Sequence, residues 1–187
     1  MRATLAAAAA LAILLAACGR GGSSRRAEQP PKEERPQAPA EGAIDTSLPS
    51  KTVKLYFPSA SAETLVTEDR QIFETASPVD RAKQILTELL SGPSGSQAIA
   101  AVPKGTTLKQ VYVLEDGTAY ANFSSELSEG IGGSSDELLA IYSIVDSLAL
   151  NVPEIRCVAI LVDGKGRGTL AGHIDIRRPY RPDRAAG

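Results

Sequence analysis

The sequence predicts an α/β domain of the α+β type, in which two helices pack on one face of a mixed, largely antiparallel sheet. Three observations predict this fold. Short runs of alternating apolar residues indicate strands, two longer segments carry apolar residues at helical spacing, and the order is strand, strand, helix, strand, strand, helix, strand, strand. Residues 51–182 hold all these elements and have the length of one ordinary domain, without an internal repeat.

The first two strands are predicted at the start of this domain. Residues 52–57 alternate apolar and polar side chains and stop before Pro58. Residues 65–73 form a second candidate strand, and its mixed charges indicate one exposed face.

The first helix has clear signals at both ends. Ser77 is a typical N-cap residue and Pro78 a typical first helical residue, whereas Gly92 and Pro93 end the run. One face of the helix is apolar and is formed by Val79, Ala82, Ile85, Leu86, Leu89 and Leu90.

A hairpin and a second helix follow. Residues 108–114 and 118–123 alternate on either side of a turn signal at 115–117. Ser134 and Glu137 have the spacing of a capping box, which predicts a helix beginning there. Its apolar residues are Leu138, Ile141, Tyr142, Val145 and Leu148, and Asn151, Val152 and Pro153 end it.

A second hairpin is predicted at the end of the domain. Residues 155–162 are strongly apolar and β-branched, and residues 170–176 alternate. The glycine-rich segment 163–168 lies between them and is expected to form the turn.

The N-terminus predicts export. Residues 1–17 carry one early positive charge and then an uncharged apolar run, as a signal peptide does, and this run is too short to span a membrane. Residues 15–18, Leu-Ala-Ala-Cys, resemble the lipobox of bacterial lipoproteins. Cys18 is therefore the predicted lipid-attachment site and first mature residue. The alternative is an ordinary secretory signal peptide with a chance cysteine at its end.

The segment after Cys18 predicts a tether. Residues 18–50 are rich in Pro, Gly, Ser, Glu and Arg and have few bulky apolar residues, so they cannot offset the entropy of ordering. We expect a disordered linker here and a short disordered tail at 183–187. The domain would then stand on the extracytoplasmic side of the cell membrane or the outer membrane, held by its lipid.

Composition excludes several classes of protein. The formal net charge is −2, and the mature chain would be slightly more negative, so a nucleic-acid partner is not expected. No dense basic run is present outside Arg25 and Arg26. Once Cys18 carries lipid, Cys157 has no intramolecular disulfide partner, and the fold must depend on its core.

Catalytic and metal signals are sparse, and no cofactor is expected. His173 is the only histidine, which excludes sites built on several imidazoles. It lies near Asp175 on the same predicted strand face, but no nucleophile elbow accompanies them, and a structural hydrogen bond is the preferred interpretation. Cys157, in an apolar strand, is interpreted as a buried and inert thiol.

Two other patterns have structural interpretations. The loop 130–134 precedes a helix and could hold an anion, yet it lacks the P-loop lysine, so a flexible connection is preferred. Scattered acids could form the carboxylate pair of a wall glycosidase; they are Glu63, Glu68, Asp69 and Glu74. The chain, however, has no Trp and few other aromatic residues to line a sugar site.

Several short motifs, taken in order, resemble the GerMN family of sporulation and spore-germination lipoproteins. They are residues 53–57 (VKLYF), 89–93 (LLSGP), 102–106 (VPKGT), 119–124 (AYANFS) and 172–175 (GHID). The resemblance covers nearly all of residues 51–179. One GerMN-like copy is present, where the founding sporulation protein has two.

The resemblance implies a fold similar to the ring-building modules of secretion and sporulation assemblies, with no established enzymatic activity. We therefore expect a non-catalytic binding or assembly module that docks an envelope protein or another copy of itself. An accessory regulator of a membrane sensor kinase or cell-wall enzyme is the alternative, and a wall hydrolase is a third. The sequence indicates no ligand-binding residues.

Overall fold

The computed structural model describes residues 49–183. The predicted signal peptide, Cys18, nearly all of the tether and residues 184–187 lie outside this range. Within it, no helix is both long and apolar enough to cross a membrane. The elements in chain order are β1 (Ser50–Pro58), β2 (Leu65–Phe73), α1 (Pro78–Ser91), β3 (Leu108–Val113), β4 (Thr118–Phe123), a 3₁₀ turn (Ser125–Ser128), α2 (Ser134–Ala149), β5 (Cys157–Val162) and β6 (Lys165–Gly166).

The strands form two sheets. β1 and β2 make an antiparallel pair, and the other four strands are arranged in the order β3-β4-β5-β6. The β3–β4 and β5–β6 pairs are antiparallel, whereas β4 and β5 are parallel with α2 as the crossover. The predicted α+β class with two helices and a mixed sheet is confirmed, but the strands are divided between two sheets.

The core lies where the helices meet the strands. The apolar face of α1, the buried side of α2 and the inner faces of β1, β4 and β5 form one cluster. Its largest fully buried apolar side chains are Phe57, Phe123, Leu55, Ile85, Leu86, Leu89, Leu127, Ile141, Ile144, Leu148 and Leu170.

Helix α1 has the ends that the sequence predicts. The Ser77 hydroxyl accepts from the Asp80 N–H at 3.2 Å, and Pro78 is the first helical residue. At the other end Gly92 has φ of +85°, which favours glycine, and its N–H donates to Leu89.

The predicted capping box of α2 is wrong. Gly133 is the N-cap residue and no side chain bonds to the first turn, while Ser134 is already helical. Glu137 does not reach back to the helix start, because its side chain is fully buried and binds a later segment of the chain.

The last predicted strand is also wrong. The hairpin that begins with β5 turns at Asp163 and Gly164, both with positive φ, and returns only as the short β6. Residues 168–183, here called the C-terminal strap, have no regular strand. The strap meets β5 at one point, where the backbones of Tyr180 and Val158 exchange two hydrogen bonds of 2.8 Å.

Candidate functional site

The two residues that the sequence grouped as a catalytic candidate have different partners. His173 Nδ1 lies 3.0 Å from Glu137 Oε2. Asp175 accepts instead from Arg177, which holds the pKa of Asp175 at about 2 through hydrogen bonds and charge. The preferred interpretation of His173, a structural hydrogen bond, agrees with this geometry.

The carboxylate of Glu137 binds the strap to α2. Oε1 accepts from the N–H groups of Leu170 at 2.9 Å and Ala171 at 2.8 Å, and Oε2 accepts from the N–H of His173 at 2.9 Å. Burial acts to raise the pKa of Glu137, but the amides of Ala171, His173 and Ile174 outweigh it and hold the pKa below its usual value. The oxygens of Glu137 are occupied by donors of the same chain, so this carboxylate has a structural role.

A second carboxylate on α2 binds the other end of the strap. Asp146 is fully buried, and its Oδ1 accepts from the Asp183 N–H at 2.9 Å, while Oδ2 has no hydrogen-bond partner among the described residues. Burial raises the pKa of Asp146 to about 6. The sequence analysis assigned Glu137 to a capping box and missed Asp146. The available signal was the apolar residues one helical turn away, Ile141 after Glu137, and Tyr142 and Leu150 on either side of Asp146.

The scattered acids do not form a hydrolytic pair. Glu68 accepts from Arg70 at 2.8 Å and from the N–H groups of Ser94 and Gly95. Asp69 lies on the opposite face of β2 and bonds Lys54. Glu63 and Glu74 are exposed, one in the β1–β2 turn and the other after β2. Among residues 49–183, no group of three potential ligands is placed to hold a metal ion.

Two further sequence candidates have little chemistry around them. Cys157 lies in β5 as expected, but it is half-buried rather than buried, with Sγ 3.6 Å from the Thr118 hydroxyl. The loop 130–134 borders a groove of about 320 Å³ at the start of α2. Asp136 also lines this groove, and its negative charge disfavours the anion that the helix terminus would otherwise attract.

The strap carries a basic cluster that the sequence analysis overlooked. Arg177, Arg178 and Arg181 line an open hollow of about 1030 Å³ together with Tyr142 and Tyr180. The two tyrosine rings meet edge to face at 5.8 Å. The interpretation that basic residues cluster only at Arg25 and Arg26 was therefore wrong, although Asp175 neutralises Arg177.

The outer edge of β1 is covered by Ser147 near the end of α2 and by Asn151, which follows this helix. Asn151 accepts from the Lys54 N–H at 2.9 Å and donates to the Lys54 carbonyl at 2.7 Å, and Ser147 accepts from the Tyr56 N–H at 3.0 Å. Alternate residues of an antiparallel strand direct their backbone groups to opposite sides, so the N–H and C=O groups of Lys54 and Tyr56 point away from β2.

Within residues 49–183, nothing pairs with the outer edge of β2, here called the free edge. Asp69 and Thr67 lie opposite Lys54 and Tyr56, so their backbone groups also point away from the β1–β2 ladder, as do those of Leu65 and Gln71. In the described part of the chain, no hydrogen bond satisfies the outward backbone groups of these four residues. A row of donors and acceptors without partners among the described residues thus runs along β2.

An aromatic side chain stands at one end of this free edge. Phe73 is 60% exposed, the highest value among the large apolar residues of the described region. Its backbone N–H and C=O are both bonded to the Gln84 side chain of α1, which ends the free edge. A groove of about 390 Å³, with mostly apolar walls, lies between Phe73 and α1.

A family model for sporulation and spore germination, named Germane, matches residues 54–167, more than half of the chain. The chain belongs to the Germane family. No curated protein matches its sequence.

Solved structures place this Germane-family domain in a known fold. The first GerMN domain of the sporulation protein GerM from Bacillus subtilis is 22% identical with a TM-score of 0.54, covering 72% of this chain and 98% of that one. The tandem GerMN domains of GerM are 21% identical with a TM-score of 0.52, covering 72% of this chain and 46% of that one. A candidate lipoprotein from Clostridium perfringens is 23% identical with a TM-score of 0.51, covering 71% of this chain and 87% of that one.

The comparisons confirm the GerMN-like fold predicted from the short motifs. The chain spans about half of the tandem GerM structure, and identities at this level show the fold alone. The Germane match ends at residue 167. It therefore includes the free edge of β2 and Glu137, but neither the strap nor the motif at 172–175 that was counted in the resemblance.

Proposed function

We propose that this chain is a membrane-anchored envelope lipoprotein whose Germane-family domain binds a protein partner and catalyses no reaction. The observation that supports the binding role is the free edge of β2 with the exposed Phe73 at its end. A strand edge presents backbone groups in a fixed row, to which an extended segment of a partner can add as a further strand. Exposed aromatic residues are common anchors at protein interfaces.

The non-catalytic part of the proposal is supported by the state of the histidine. Among the described residues, His173 Nδ1 bonds Glu137 Oε2 at 3.0 Å, and the other contacts of this carboxylate are backbone amides of the strap. The Nε2 atom of His173 forms no hydrogen bond within the described region, so no hydroxyl or thiol is held beside it as a nucleophile.

The membrane anchor is proposed from the lipobox-like residues 15–18. Feeding an alkyne-tagged fatty acid to cells that express the full chain tests this part. We expect label in the parent chain and in the matched variant Cys157→Ser, and none in Cys18→Ser. Label retained by Cys18→Ser, or none in the parent, would overturn the anchor.

The binding role is tested by a photo-crosslinking amino acid placed on the edge of β2. We expect substitution at Thr67, in the native envelope, to capture one recurrent protein that mass spectrometry identifies. Substitution at Glu115, which is exposed in the β3–β4 turn, is the control. Equal capture at both positions, or none at position 67, would count against the proposal.

The process that the domain serves is proposed from the family description, sporulation and spore germination. Deleting the gene in its own host and counting heat-resistant spores tests this assignment. A fall in the count that the parent gene restores and the Cys18→Ser gene does not would support a lipid-anchored sporulation role. An unchanged count would remove sporulation and leave envelope assembly.

A further inference from the structure

We infer that β2 pairs with β2 of a second copy of this chain, antiparallel about a twofold axis at Asp69. This inference rests on the proposed binding function and names its partner. It joins two free edges into one four-stranded sheet in the order β1-β2-β2-β1. An interface of this kind uses the same surface twice and closes after two chains, as most symmetric dimers do.

The free edge of β2 lacks two features that protect edge strands, a bulge and a proline, although it carries the charges of Glu68, Asp69 and Arg70. Its register with β1 runs from Ser50–Phe73 to Pro58–Leu65 without a bulge. β3, which is also at the edge of its sheet, has a register irregularity between Leu108 and Gln110. Bulges and prolines discourage edge-to-edge pairing. β2 contains neither, so it remains able to accept another strand.

Pairing about Asp69 makes the strand complementary to itself. Thr67 would lie opposite Gln71 of the second copy, and both residues have outward-pointing backbone groups. With Asp69 opposite Asp69, these pairs give about six backbone hydrogen bonds, two for each directly bonded pair. The next pair, Leu65 and Phe73 of the second copy, is not bonded, because the Gln84 side chain occupies the outward backbone groups of Phe73 and ends the ladder there.

The charges on the other face of β2 also match in this register. Glu68 of each chain would lie opposite Arg70 of the other, and their side chains are only 18% and 15% exposed in the single chain. Opposite charges across a strand pair are favourable. Moving the axis by one residue would place Glu68 opposite Glu68, or Arg70 opposite Arg70. The register centred on Asp69 is therefore preferred.

One like-charge contact remains at the axis, where the two Asp69 side chains meet. Each has Lys54 of its own chain at 3.2 Å, so the row across the dimer would read Lys54, Asp69, Asp69, Lys54. Like charges directly opposite are destabilising, and the exposed lysines offset only part of the repulsion. Asp69→Asn should therefore increase dimer formation about threefold, the equivalent of about 0.65 kcal/mol.

Disulfide trapping of the full chain in its native envelope tests the inference. Asp69→Cys in a Cys157→Ser background places two thiols at the axis, where bonded pairs have Cα atoms about 5.5 Å apart, a distance that suits a disulfide. With copper phenanthroline as oxidant, we expect a band at twice the mass. The Cys157→Ser chain and the same chain with Glu63→Cys, a site in the β1–β2 turn, should remain monomeric.

The register is tested by two differently tagged chains, one with Thr67→Cys and the other with Gln71→Cys, again with Cys157→Ser. We expect mixed dimers when both are present and about tenfold less dimer from either alone, because two residues at position 67 lie about 13 Å apart along antiparallel strands. Equal trapping in all combinations would show random collision and overturn the inference.

The two levels of the proposal fail in different ways. If Asp69→Cys yields no dimer, although circular dichroism shows a folded chain, the second copy is excluded as the partner. Photo-crosslinking at Thr67 to a different envelope protein would then preserve the binding function. Capture of nothing at that position would overturn both.

Discussion

Glu137 shows how one side chain can fix an irregular segment in place. Its two oxygens accept from three backbone N–H groups and one ring nitrogen of the strap, and its side chain has no exposed surface. A buried carboxylate costs free energy unless donors surround it. Here the donors and the carboxylate satisfy each other, so the strap and α2 stabilise each other.

We expect Glu137→Gln to lower the free energy of unfolding by about 2–4 kcal/mol, because an amide NH₂ would replace one acceptor in front of backbone donors. Urea denaturation of the variant and of the control Glu115→Gln measures the effect. Hydrogen exchange at residues 170–174 should rise in Glu137→Gln alone. An unchanged midpoint with unchanged exchange would contradict the structural role of Glu137.

The lowered pKa of Glu137 also sets a direction for the pH dependence. A carboxylate with a folded-state pKa below its unfolded value stabilises the fold above the unfolded pKa, and this contribution is lost as pH falls through the folded pKa. Glu137 therefore contributes to stability at neutral pH, and its contribution declines only in acid below about pH 4.5.

The pKa of Asp146 is shifted in the opposite direction, so its effect on stability with pH is also opposite. Its folded-state pKa is about 6, above the ordinary value of 3.8, so its neutral form is favoured in the fold. Stability from this group is fully present below the unfolded pKa and is lost as pH rises through about 6. We expect Asp146→Asn to be more stable than the parent at pH 8 by at most about 3 kcal/mol, the equivalent of two pKa units.

Urea denaturation of Asp146→Asn and the parent at pH 4 and pH 8 measures this difference. Asn keeps an oxygen that can accept from the Asp183 N–H, so the contact with the strap remains possible. The gain should be small at pH 4, where Asp146 is protonated. A gain of equal size at both pH values would rule out ionisation as its cause.

At the scale of elements, α2 and the turn after it determine on which side the β1–β2 sheet can accept another strand. Asn151 and Ser147 satisfy the outer backbone groups of Lys54 and Tyr56, which leaves only the β2 side able to accept a strand. The same contacts attach the second helix to the first strand, far apart in sequence.

We expect Asn151→Ala to destabilise the domain by about 2–3 kcal/mol, because it removes three hydrogen bonds, to the N–H and C=O of Lys54 and to the Ser147 carbonyl. Gln71→Ala, which removes one exposed bond to Thr52, is the matched amide control and should cost less than about 0.5 kcal/mol. Urea denaturation compares the two. Equal losses would mean that the cover of β1 contributes little.

The elements that sequence could predict are those whose signals are local. β2, β4 and α1 have the predicted bounds, because turns, a cap residue and a proline lie in the same short segment that they define. Glu137 shows where this reasoning fails. Its spacing from Ser134 is that of a capping box, but its partners lie more than 30 residues later. Those contacts also take the amides that residues 170–176 would need as a strand.

The free edge of β2 was outside the reach of sequence analysis for a similar reason. Residues 65–73 were predicted as a strand with one exposed face, and this is what the structure contains. Which strand has a neighbour depends on the order of strands and on side chains from elsewhere in the chain, such as Gln84 of α1 and Asn151 in the turn after α2. The candidate binding surface therefore needed the whole fold.

At the scale of the whole molecule, anchoring and pairing should reinforce each other. Confinement of two chains to one membrane raises their local concentration, so a contact too weak to persist in solution can form there. We expect Cys18→Ser to reduce the Asp69→Cys dimer by about tenfold at equal expression. Quantifying the trapped band in anchored and released chains measures this, and equal yields would separate pairing from the membrane.

The strap also bears on the order in which the domain would fold during the export that we propose. A chain translocated from its N-terminus delivers residues 168–183 after α2 and the strands. Until they arrive, Glu137 and Asp146 lack the amides that bond them, and both carboxylates disfavour burial of the helix face that carries them. Final packing of α2 therefore waits for the last part of the domain, and in the proposed export α2 would pack fully only after the strap has emerged.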